Sequence, residues 1–102
     1  MKFVLHILFV IVTVSFAQNS DGKAVFEKYC WGCHHQTAMA FGPPFSQIAD
    51  TRTPEEIEAY IISPESMYKS FGYKRTVMTQ FHLNDEERKS VVQYILSFKG
   101  KQ

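Results

Sequence analysis

Cys30 and Cys33 stand three positions apart, and His34 follows the second directly, in the string Cys30-Trp31-Gly32-Cys33-His34. They are the only two cysteines in the chain. The C-x-x-C-H pattern is the one read as c-type haem attachment. Two thiols at this spacing can reach two vinyl groups on one edge of a macrocycle and form thioethers. The adjacent imidazole then lies under the iron as its proximal ligand.

Other chemistries use the same residues. A dithiol redox motif also reads C-x-x-C, but it belongs near a βαβ pattern, and none surrounds Cys30. A structural disulfide between Cys30 and Cys33 would close a very short loop and contribute little loop entropy. A zinc site built from Cys30, Cys33 and two of His34, His35 and His82 would lack the usual second, tightly spaced ligand pair.

The start of the chain bears on the choice. Lys2 precedes an apolar run from Phe3 to about Phe16, with Ser15 and Ala17 as small residues before a cut after Ala17. This is the layout of a secretory signal peptide, expected over residues 1–17. The run falls short of the roughly 18–20 residues that span a bilayer. A retained membrane anchor is the alternative. Cleavage would leave residues 18–102, with ten basic and ten acidic residues and no net charge. Export would also place the cysteines outside the cytoplasm, where c-type attachment takes place in bacteria.

The 102 residues are 45% hydrophobic and 21% charged, with a net charge of +1. That balance suits one small globular domain, gives no support for nucleic-acid binding and argues against disorder. A domain this small has a thin core and usually needs a staple such as a metal, a disulfide or a bound cofactor.

The elements that must position the motif are legible as helices. Asp21 caps an expected helix that runs to about Tyr29, directly into Cys30, with Val25, Phe26 and Tyr29 on its apolar face. A proline-rich loop is expected from Thr37 to Ser46, because proline resists both helix and central strand. Its carbonyls are free to orient a ligating histidine through the second ring nitrogen. Thr53-Pro54-Glu55-Glu56 opens a second helix with a capping box, and Ser63-Pro64 ends it. Pro64 to about Leu83 has no sustained period, and Gly72 interrupts it. Asn84 to Glu87 opens a last helix whose apolar face runs through Phe98, ahead of Gly100. No segment alternates long enough to build a sheet.

With these segments in order, the sequence resembles the small bacterial class I c-type cytochromes over about residues 20–99. The resemblance rests on the helix entering Cys30-Trp31-Gly32-Cys33-His34, on Gly42-Pro43 with Phe45, and on Thr53-Pro54-Glu55-Glu56-Ile57 with Ile61 and Pro64. It rests last on a methionine followed by Phe81-His82-Leu83-Asn84-Asp85-Glu86-Glu87 and the terminal helix. It implies an all-α fold of three to five helices around one covalently bound haem c, with the first and last helices packed crosswise near Phe26, Tyr94 and Ile95. It implies thioethers at Cys30 and Cys33, His34 as proximal ligand, the Pro43 carbonyl as its hydrogen-bond acceptor and Met78 as distal ligand. Small members often carry Pro after that methionine, where Thr79 stands here. Met67, Met39, His35 and His82 are the rival ligands.

The resemblance further implies that Phe26, Phe41, Phe45, Ile57, Ile61, Phe71 and Val77 cover the haem. The expected function is a soluble periplasmic single-electron carrier, with no substrate turnover of its own, serving larger respiratory redox proteins. Lys69, Lys74 and Arg75 are candidates to steer an acidic partner. The alternatives are a haem protein with an open sixth position and a subunit held within an oxidoreductase.

Overall fold

The computed structural model describes residues 21–101. The expected signal peptide lies outside the described residues. Among them the chain is helical, with no strand. No described helix is long and apolar enough to cross a membrane.

The first helix, α1 (Gly22–Val25), starts where Asp21 accepts the N–H of Lys23 at 3.1 Å. It continues directly into a π-helical turn, Phe26–Cys30, closed by the Trp31 N–H on the Phe26 carbonyl at 2.9 Å. Local sequence carries no signal for that wider turn. Such turns are rare and often lie at functional sites. Lys23 and Glu27 pair across one turn at 3.9 Å on the solvent side.

Next come α2 (Phe45–Thr51), α3 (Pro54–Ile62), the single turn α4 (Pro64–Met67) and α5 (Asp85–Leu96). Both capping boxes form as read. Thr53 accepts the Glu56 N–H at 3.1 Å and Glu56 accepts the Thr53 N–H at 2.9 Å. Asn84 and Glu87 repeat the exchange at 2.8 and 3.1 Å. Gly72 has a φ of +84°, which favours glycine, and it closes the turns after α4.

Three boundaries differ from the sequence reading. The proline-rich loop ends at Pro44, because Phe45 and Ser46 already belong to α2. Pro64 itself opens the short α4 before the irregular stretch. The last helix stops at Leu96, and Phe98 sits in the turns that follow.

The core lies where α1 and its π turn meet α5. Phe26 packs against Phe45 and Tyr94 at ring-centroid distances of 5.0 and 5.5 Å, and Ile95 belongs to the same cluster. Gly22 permits the approach. A Cβ there would run into the Ser90 carbonyl and come within 2.7 Å of the Tyr94 Cβ. The helix pair therefore meets at Phe26, Tyr94 and Ile95 as expected, and Gly22 is the contact the sequence reading missed. Arg88 ties α5 to α3 through Glu58 at 2.9 Å and also bonds Asp85 at 2.7 Å.

Candidate functional site

Cys30 begins a helical turn that ends on His34, whose N–H donates to the Cys30 carbonyl at 3.0 Å. Positions i, i+3 and i+4 share one face of such a turn. Accordingly Cys30, Cys33 and His34 line one cavity of about 490 Å³. Cys30 is half-buried and Cys33 is exposed, and both are free thiols. Burial, with a smaller push from Cys33, raises the Cys30 thiol to about 11. Cys30 is therefore held as a neutral thiol at ordinary pH.

The loop after His34 folds back on itself through three backbone bonds. Gly42 N–H donates to the Cys33 carbonyl at 2.7 Å, Phe45 N–H to His35 at 2.9 Å and Ser46 N–H to Gln36 at 3.0 Å. The last two satisfy helix-start donors of α2, which proline at 43 and 44 does not compete for. The fold-back carries the Pro43 carbonyl to 2.8 Å from His34 Nδ1. A carbonyl only accepts, so Nδ1 carries a proton, and in the neutral imidazole the lone pair then lies on Nε2. That is the tautomer a metal-ligating imidazole needs.

His34 is also held on its faces. Its ring stacks on Phe45 at a centroid distance of 5.5 Å. At Gly42 a Cβ would run into His34 Cε1 and stand 2.8 Å from Nδ1, so only glycine fits against this ring.

Met78 lines the same cavity and packs against the core cluster. The cavity thus brings together Cys30, Cys33, His34, Pro43 and Met78. It does not include Met67, Met39, His35 or His82. Met39 and His35 are exposed, and His82 lines a separate hollow beside Arg88. Among the described residues no group of three or more His, Cys, Asp or Glu side chains stands together as a metal-binding set. The zinc arrangement therefore has no geometric support there.

The wall departs from expectation at three residues. Phe26 is buried in the core rather than facing the cavity, because α5 covers it. Phe41 and Val77 do reach the cavity, but at 88% and 79% exposure they sit at its mouth. Phe45, Ile57, Ile61 and Phe71 form the apolar wall as read. Lys74 and Arg75 stand at the rim, whereas Lys69 lies away from it beside the Tyr68 ring.

Arg52, Tyr60 and Thr76 also line the cavity, and nothing in the linear sequence marked them. Arg52 stacks on Phe71 with its guanidinium carbon 4.0 Å from the ring centroid, and donates to the Phe71 carbonyl at 2.9 Å. Its Nε is buried and has no hydrogen-bond partner. Such a donor calls for an acceptor supplied from outside the chain.

These features fit a haem. The volume lies in the range of cofactor pockets. The wall is largely apolar, the imidazole is oriented, two thiols stand at one edge and the unpartnered Arg52 donor suits a propionate.

A family model described as Cytochrome c matches residues 20–99. No curated protein and no solved structure gives a match.

Proposed function

The chain belongs to the cytochrome c family, a family of haem-binding electron carriers, and we propose that it is an exported single-electron carrier with one covalently attached haem held between His34 and Met78. The observation that carries this reading is the tautomer of His34. Its Nδ1–H is engaged by Pro43 at 2.8 Å, which leaves Nε2 as the nitrogen for a ligand, and the ring lines the cavity that also takes in Cys30, Cys33 and Met78.

Haem, when bound, supplies the one-electron couple of its iron. Everything else falls to the chain. Cys30 and Cys33 would hold the group through thioethers, each by addition of S–H across a vinyl double bond, so that nothing leaves and no oxidant is needed. Pro43 and Phe45 hold the His34 imidazole in one orientation, which would leave little to rearrange when the charge changes. The thioether sulfur of Met78 would be a weaker donor than imidazole and would raise the potential. Ile57, Ile61 and Phe71 exclude water from the cavity wall. His34 and Met78 would hold the iron from two sides, which favours a carrier over turnover of a substrate.

The partners are proposed to be larger redox proteins met through small, brief interfaces. Exposed Phe41 and Val77 with Lys74 and Arg75 at the cavity mouth support an apolar contact ringed by positive charge. Export to the periplasm rests on the expected signal peptide at residues 1–17.

The test is the visible spectrum of the purified holoprotein. A low-spin spectrum in both redox states, with no carbon monoxide uptake by the ferrous form, supports the closed His/Met site. A Met78→Ala variant then takes up carbon monoxide. Uptake by the wild type would instead place the chain among haem proteins with an open sixth position.

A further inference from the structure

Met78 sits in a stretch, residues 75–84, that forms no helix or strand. Its backbone has no ladder to hold it, so its position depends on what its neighbours reach. Two ties run from this stretch to α3. The Tyr60 hydroxyl donates to Thr76 Oγ1 at 3.0 Å, and the same oxygen accepts the Met78 N–H at 3.3 Å. A hydroxyl oxygen has two lone pairs, so it serves both donors at once. Beyond Met78, Gln80 Nε2 donates to the Ile62 carbonyl at 3.0 Å. Ile62 is the last residue of α3, where helix carbonyls lack partners within the helix.

The ties fall two residues before and two residues after Met78. Both end on α3, the helix that also supplies the cavity-wall residues Ile57 and Ile61. Tyr60 is itself fixed, with its ring 4.9 Å from Phe71 and 6.0 Å from Tyr73. Thr79, between Met78 and Gln80, is free of the ring constraint that a proline would impose there.

We propose that Tyr60 and Gln80 are positioning residues that clamp the Met78 segment to α3 on both sides, replacing the stiffness of the proline that small members often carry after the ligand methionine. This rests on the reading of Met78 as distal ligand. Neither residue needs to touch the iron. Each limits how far Met78 swings away from the cavity.

The test uses the full chain matured with covalent haem, as wild type, Tyr60→Phe, Gln80→Leu, the double variant and Met78→Ala. Tyr60→Phe keeps the ring against Phe71 and removes only the donor. Thr76→Val removes the same tie from its other end should Tyr60→Phe fail to fold. Imidazole binding to the ferric protein reports release of Met78. Each single variant should bind imidazole about 2- to 12-fold more tightly, the range set by one net hydrogen bond. The double variant should exceed either single one. Amide hydrogen exchange at Met78 should quicken in Tyr60→Phe while exchange in α5 stays unchanged.

Unaltered imidazole binding in all clamp variants, against tight binding by Met78→Ala, would overturn the clamp and leave the ligand assignment standing. Equal acceleration of exchange in α5 would also overturn it, because the effect would then be global. Wild-type imidazole binding by Met78→Ala would overturn the ligand assignment itself, and the clamp with it.

Discussion

The Nδ1–H of His34 donates to the carbonyl oxygen of Pro43 across 2.8 Å, and the residue before that proline is the glycine on which the imidazole rests. One short loop therefore fixes both the tautomer and the tilt of the ring. The loop is itself tied down by Gly42 N–H on the Cys33 carbonyl.

Gly42→Ala puts a methyl group where the His34 ring lies. Either the ring or the loop must move, and the Pro43 bond loosens in both cases. The holoprotein should lose about 1–3 kcal/mol of stability, the usual cost of overpacking. Thermal melts followed at the haem absorption check this, and the melting temperature should fall.

Gly22→Ala tests the crossing of α1 and α5 in the same way, remote from the ligands. The added Cβ meets the Ser90 carbonyl and Tyr94. Alanine's better helix propensity recovers roughly 1 kcal/mol of an overpacking cost of about 1–3 kcal/mol. A net loss should still show as a lower melting temperature by circular dichroism. The haem spectrum at room temperature should stay as in the wild type.

Asn84→Ala removes the side chain that accepts the Glu87 N–H at the start of α5. Loss of such a cap costs about 1 kcal/mol. In a domain of this size that lowers the melting temperature by roughly 4–8 °C.

The helix starts at Thr53 and Asn84 were legible because a capping box lies within four consecutive residues. The shared placement of Cys30, Cys33 and His34 was legible because a single turn sets it. By contrast, α2 was not. It is seven residues long, too short to form alone, and two of its first N–H groups are satisfied by carbonyls from His35 and Gln36 across the loop. Phe26 was read both as a residue of the helix crossing and as one covering the haem, and only the crossing against Tyr94 forms, because α5 buries the ring completely. Arg52, Tyr60 and Gln80 acquire their roles only through contacts 16 to 19 positions away in the chain.

Preventing haem attachment should leave the chain without a stable fold. Without haem the apolar wall of Phe45, Ile57, Ile61 and Phe71 loses the body it covers, in a domain whose whole stability is only about 5–15 kcal/mol. Far-ultraviolet circular dichroism of a Cys30→Ala/Cys33→Ala variant made without haem should show much less helix than the holoprotein.

The most direct measurement is a haem-extraction test. The full chain is expressed with a c-type maturation system, denatured in acid acetone and assayed for haem on the polypeptide. The account predicts that haem stays with the wild-type chain and is extracted from the Cys30→Ala/Cys33→Ala variant. A wild-type chain that carries no covalent haem after maturation would contradict it and return the two cysteines to dithiol chemistry.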